Sequence, residues 1–201
     1  AVFERVRAGD WLDAPLTLTG RGKGALDVTL TGGTLDMRRM PDTSGGPAGG
    51  GPITVRLDAL RISDGISLTD FRGEFGSKGG FNGSFSAGVN GKAEISGVVA
   101  PAKQGSAVRI TSENAGAVMA AAGIFDKGRG GNLDMTLIPR GPDGEYNGTA
   151  TFTRMRVQGA PALAELLSAV SVVGLLEQLN GEGLAFNNGE VKFILTPKAV
   201  E

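Results

Sequence analysis

The chain has 201 residues, with 20 basic and 21 acidic side chains, no histidine and no cysteine. Balanced charge without a basic block gives no electrostatic reason to expect a nucleic-acid partner. The missing histidine removes the commonest general base and metal ligand, and the missing cysteine excludes disulfides and thiolate metal sites. The 34 glycines, about twice the ordinary share, fall between short alternating segments, the pattern of turns and strand breaks in a β-rich protein. The length suffices for one sizeable core, or for two small lobes sharing a sheet. The chain opens at Ala1 with no basic and apolar leader, so a mature or partial chain is expected.

From Pro15 to Met40 the pattern predicts two or three strands. Leu16 and Leu18 alternate with Thr17 and Thr19, and Leu26, Val28 and Leu30 with Asp27, Thr29 and Thr31; Gly32-Gly33 is expected to turn the chain into Thr34–Met37. Residues 41–52, PDTSGGPAGGGP, read as a flexible linker, which divides the chain into an N-terminal β segment (1–40), a Gly/Pro-rich loop (41–52) and a larger β module (53–201). Ile53, Val55 and Leu57 alternate next, followed by strands over Ile66–Phe75, Phe81–Ala87, Ala93–Val99 and Ala107–Thr111. Ser112 is placed to cap a short Ala-rich helix over about Glu113–Ala122 that stops near Gly123. Strands over Asn132–Pro139 and Tyr146–Thr153 flank the turn at Gly141-Pro142-Asp143-Gly144.

A second helix is predicted between Pro161, suited to a first helical turn, and the left-handed stop Asn180-Gly181. Leu163, Leu166, Leu167, Val170, Val173 and Leu176 give it one wide apolar face. Its uncharged run from Leu166 to Leu176 falls well short of the ~20 apolar residues that a bilayer crossing needs, so no transmembrane segment is expected and the helix should cap something apolar. A hairpin with its turn at Asn187-Asn188-Gly189 is expected to close the chain. The segments Asn114–Leu137 and Ala160–Leu195 share a helix, glycine turn and strand order, a faint internal repeat.

Chemistry is sparse. Gly20-Arg21-Gly22-Lys23-Gly24 lacks dinucleotide spacing, Gly91-Lys92-Ala93 lacks the phosphate-loop context, and Gly130-Gly131-Asn132-Leu133-Asp134 is a lone partial calcium repeat. Asn82-Gly83-Ser84 and Asn147-Gly148-Thr149 match the glycosylation tripeptide but coincide with strand turns. The carboxylates Asp58, Asp64, Asp70 and Glu74 would suit a glycosidase in type, yet each alternates with apolar residues as on a solvated sheet face. No catalytic residue, metal or cofactor is therefore expected, and a carboxylate hydrolase is the remotest of three readings. The strands instead supply many apolar side chains and few aromatics, which a glycine-curved sheet would gather into a trough with Thr, Asp and Asn on its convex side. Such a trough suits acyl chains, which need apolar area and little hydrogen bonding; the plainer alternative is that the apolar face is the core.

The second half carries a resemblance. Ile110-Thr111-Ser112-Glu113-Asn114-Ala115-Gly116, Gly123-Ile124-Phe125-Asp126, Gly130-Gly131-Asn132-Leu133, Tyr146-Asn147-Gly148, Val157, Ala160-Pro161-Ala162-Leu163-Ala164-Glu165-Leu166-Leu167-Ser168 and Gly181-Glu182-Gly183-Leu184-Ala185-Phe186 occur in an order that resembles the C-terminal region of the AsmA-like family, its YhdP- and TamB-type envelope proteins above all. The match spans roughly residues 105–196, and family members usually continue beyond the point where this chain stops, at Glu201. The resemblance implies a periplasmic module tethered to the inner membrane through a segment outside this chain. It also implies an apolar β-groove that takes phospholipid acyl chains and supports their transport to the outer membrane, with no catalytic residue.

Together these readings predict a mainly β, α+β fold: a curved antiparallel sheet forming a groove, with two helices at its apolar face or end. The expected lining is Leu26, Val28 and Leu30, then Val55 and Leu57, Phe81 and Phe85, Leu133, Met135 and Leu137, and finally Phe152, Phe186 and Phe193. The expected partners are phospholipid, the rest of the parent chain and other envelope proteins. The alternative is a structural or assembly module in envelope biogenesis with a closed apolar core.

Overall fold

The computed structural model describes residues 1–22, 25–41, 50–141, 144–159 and 183–196. Among the described residues thirteen strands join in one sheet: β1 (Val2–Ala8), β2 (Leu12–Gly20), β3 (Leu26–Thr31), β4 (Thr34–Asp36), β5 (Ile53–Arg61), β6 (Ser67–Gly76), β7 (Asn82–Val89), β8 (Ala93–Pro101), β9 (Ser106–Ser112), β10 (Gly128–Arg129), β11 (Asn132–Pro139), β12 (Tyr146–Val157) and β13 (Leu184–Leu195). One helix, α1 (Ala115–Ala121), is present among the described residues. The second predicted helix, with Leu163, Leu166, Leu167, Val170, Val173 and Leu176, lies outside them, as does most of the Gly/Pro-rich linker.

The sheet runs β1-β2-β3-β5-β6-β7-β8-β9-β11-β12, with β13 on the outer side of β12. Most neighbours are sequential and antiparallel, as short glycine-containing connections dictate. The sheet is nevertheless mixed, which corrects the expectation of a purely antiparallel one: β3 and β4 both pair with β5 in parallel. Gly32-Gly33 does not reverse the chain. With φ of 77° at both residues they insert a bulge, so that β3 and β4 continue in one direction between β2 and β5. β5 begins beside the start of β3, where Gly51 N–H donates to the Leu26 carbonyl and Val28 N–H to that of Pro52.

Two further corrections concern the ends. β1 is absent from the predicted elements; it pairs with β2 and is tied by the Arg5 to Asp13 fork at 2.6 and 2.5 Å. The predicted terminal hairpin is one long strand. β13 pairs with β12 from Val157↔Leu184 to Tyr146↔Leu195, and Asn187, Asn188 and Gly189 do not take the positive φ of a two-residue hairpin turn. They lie beside Arg154, whose φ is 55°, where both strands change parity. Phe152 and Met155 on β12, and Phe186 and Phe193 on β13, consequently all join one cluster. A twelve-residue partner offers more backbone hydrogen bonds than a local turn, so tertiary pairing overrode the turn signal.

Asn114, not Ser112, caps α1. Its Oδ1 accepts the Ala117 N–H at 3.0 Å, while the Ser112 hydroxyl donates to the Glu94 carbonyl at 2.7 Å. The helix stops as predicted at Gly123, φ 70°. Asn90 Nδ2 donates to the Ala121 carbonyl at 2.8 Å, pinning the helix end to the β7–β8 turn. Ala117, Val118, Ala121 and Ala122 pack on one buried cluster, and Ala115, Val118 and Met119 on the other, so α1 bridges the two over one end of the apolar face. Of the described residues, no helix is long and apolar enough to cross a membrane.

Candidate functional surface

Alternation along each strand places side chains on two faces, and the registers align the alternation across strands. One transverse row reads Phe3, Leu16, Leu30, Val55, Gly73, Phe85, Gly97, Ile110, Met135, Ala150 and Val191, each directly opposite the next on eleven strands. The next row on the same face reads Leu18, Val28, Ile53, Phe75, Gly83, Val99, Val108, Leu137, Gly148 and Phe193. Both consist wholly of apolar residues and glycine. A third row, Leu12, Leu35, Leu60, Leu68, Val89 and Ala93, crosses the end of the face on which α1 sits.

The rows differ in exposure. In the α1-end row Leu12, Leu60, Leu68, Val89 and Ala93 are all buried. In the two long rows most of the large side chains, Leu30, Phe85, Ile110 and Met135 in one, Val28, Ile53, Phe75, Val108 and Phe193 in the other, remain half-buried. Aromatic rings lie flat across glycines, Phe85 and Phe193 over those of neighbouring strands and Phe75 over one of its own. A Cβ on Gly97 would meet the Phe85 ring at 2.2 Å, one on Gly148 the Phe193 ring at 2.3 Å, and one on Gly73 the Phe75 ring at 2.4 Å. Phe85, Phe71, Phe75 and Phe81 stack in that order, with successive centroids 5.1 to 6.4 Å apart. Rings laid on glycines make a thin, even apolar floor, which upright side chains could not.

The predicted lining residues fall on this face. Leu30, Val55, Phe85 and Met135 share the first row, and Val28, Leu137 and Phe193 the second. Leu57, Leu133 and Phe152 follow toward α1, with Leu57 and Leu133 buried. Phe186 joins Phe152 and Phe193 in one cluster. Leu26 and Phe81, 45% and 43% exposed, stand at the margin, Phe81 stacked on Phe75.

The opposite face is polar, Val98 apart, in equally continuous rows. Thr31, Arg56, Arg72, Ser86, Ser96, Thr111, Asp134, Thr151 and Glu190 form one, and Thr29, Thr54, Glu74, Ser84, Val98, Arg109, Thr136, Thr149 and Lys192 the next. Between β5 and β9 this face holds a hollow of about 700 Å³, walled by Arg56, Arg72, Glu74, Val98 and Arg109 and floored by small hydroxyl residues. Sequence reasoning did not find it, because it exists only where strand pairing brings the serines of β7 and β8 beside the arginines of β5 and β6. Arg109 grips Asp134 through two bonds of 2.9 and 2.5 Å, which lower the Asp134 carboxyl below the usual carboxylate range.

The carboxylates weighed for hydrolysis have separate structural roles. Asp58 accepts the Gly33 N–H at 2.8 Å; Asp64 pairs with Arg38; Asp70, at φ 48°, marks the β6 bulge; Glu74 stands in the hollow. Among the described residues no three Asp or Glu side chains are grouped so as to hold a metal ion. No protein-family model, curated protein or solved structure matches this chain.

Proposed function

We propose that this protein is a lipid-binding module of the cell envelope, in which the two long apolar rows form the floor of a groove for phospholipid acyl chains. The observation that carries the reading is the contrast within one face: closed and buried at the α1 end, half-buried across the Phe-on-Gly floor. A floor about ten strands wide at ~4.8 Å per strand runs for some 45 Å or more, and it offers acyl chains apolar contact with no polar group to desolvate. The resemblance of residues 105–196 to the AsmA-like family supports the same assignment. It carries with it a periplasmic location, a tether to the inner membrane outside this chain, and a part in phospholipid transport to the outer membrane with the remainder of the parent chain. No catalytic step or cofactor enters this function.

A second reading, a structural or assembly module with a closed core and no lipid of its own, is favoured by the burial of Val55, Leu57, Leu133, Leu137 and Ala150. Native mass spectrometry with lipid extraction, on protein purified from an envelope fraction, separates the two. Stoichiometric phospholipid that is lost in Met135→Asp, with the fold intact by circular dichroism, is the expected result. A lipid-free, monodisperse and stable wild-type protein would overturn the groove in favour of the structural module.

A further inference from the structure

The polar face holds an arrangement that sheet stability alone does not explain. Arg56 on β5 and Arg72 on β6 are directly opposite each other in the antiparallel register, which sets their Cα atoms about 5 Å apart. Like charges so placed repel. Several arginines elsewhere on the sheet are matched to carboxylates, as in Arg5 with Asp13, Arg21 with Asp27 and Arg109 with Asp134. Among the described residues the Arg56 and Arg72 guanidiniums make neither an ion pair nor a hydrogen bond. The next positions along their row are Ser86 and Ser96, whose hydroxyls are likewise uncommitted among the described residues. Both arginines and both serines line the one hollow. Glu74, on the adjoining row, is the single carboxylate of that lining and pairs with neither guanidinium, so the wall carries three cations against one anion, or two against one once Arg109 is matched to Asp134.

We propose that this hollow is a phosphate-binding site, in which the Arg56 and Arg72 guanidiniums take one phosphate group between them and the Ser86 and Ser96 hydroxyls donate to its remaining oxygens. Two planar forks side by side match the oxygen geometry of a phosphate, and an anion between them turns a mutual repulsion into two charge-assisted contacts. Small hydroxyl side chains on β7 and β8 leave room for the group and supply neutral donors. The site lies on the face opposite the apolar floor and does not depend on the acyl-chain reading. The phosphate comes either from a soluble phosphate compound or from a lipid headgroup presented at a membrane surface.

Thermal unfolding followed with inorganic phosphate, at ionic strength held constant with chloride, tests the soluble arm. Flotation with phosphatidylglycerol vesicles, against phosphatidylcholine vesicles, tests the headgroup arm. The expected result is a midpoint that rises with phosphate but not with chloride, or selective flotation with phosphatidylglycerol, in either case lost in Arg56→Gln and Arg72→Gln and kept in Arg5→Gln on β1. Each of the two hollow variants should unfold at or above the wild-type midpoint in the absence of phosphate, because it removes a like-charge contact; loss of binding is thereby distinguished from loss of fold. A response to neither probe, or one that survives in both hollow variants, overturns the site.

Discussion

Gly97 on β8 tests the flat aromatic floor directly. Its φ lies outside the left-handed region, so alanine is compatible with the backbone there, and any cost of Gly97→Ala must come from what the new methyl touches. That is the Phe85 ring, whose Cζ, Cε1 and Cε2 would stand 2.2, 2.3 and 2.8 Å from the Cβ, against the ~3.5 Å that carbon atoms require. The ring must lift by more than about 1 Å. It then gives up part of its stacking on Phe71, at 5.3 Å and 23°, worth ~0.5–1.5 kcal/mol. Overpacking strain of ~1–3 kcal/mol adds to this, and the lower chain entropy of alanine offsets ~0.5–1 kcal/mol. Gly97→Ala is therefore expected to destabilise by about 2 kcal/mol. With the ring removed by Phe85→Ala, the same change should be neutral or stabilising by up to ~1 kcal/mol. The double-mutant cycle then shows a coupling of about 2–3 kcal/mol. Urea denaturation measures it, as shifts in midpoint at unchanged slope. Equal effects of Gly97→Ala in both backgrounds would refute the ring-on-glycine floor.

The contrast between the closed and half-open parts of the apolar face gives a second expectation. Leu60→Ala, in the buried row, should cost ~2–5 kcal/mol, and Ile110→Ala, half-buried, about half as much by the same denaturation assay. Asn114→Ala removes the acceptor of the Ala117 N–H and should cost about 1 kcal/mol, restored in large part by Asn114→Ser. The Arg5 hydrogen bonds hold the Asp13 carboxyl down to about 2, so the stabilisation from that pair is complete above the ordinary carboxylate range and lost as the pH falls from about 4 through about 2. Carboxyl-carbon NMR should show Asp13 titrating near that value, and in Arg5→Gln at a higher pH.

The face of nearly every strand residue was legible from period-two alternation, because a side chain's side follows from its parity wherever the backbone stays regular. Thus Leu26, Val28, Leu30, Val55, Leu57, Leu133, Met135 and Leu137 were assignable to one face before any coordinate. Alternation fails where a bulge resets it, as at Asp70 and Arg154, and there the sequence shows only an ambiguous polar residue. Local turn chemistry also misleads when a long partner strand is at hand, as Asn187-Asn188-Gly189 demonstrates beside β12. What the sequence by itself determined was a β-rich chain with one apolar and one polar face and a short helix ending at Gly123. Only tertiary pairing decided that β3 and β5 run parallel, that Phe85 lies on Gly97 and Phe193 on Gly148, and that Arg56 faces Arg72 above a serine-lined hollow. Each of these depends on which residues of different strands become neighbours, and register is a property of pairs of strands that no single strand's pattern contains.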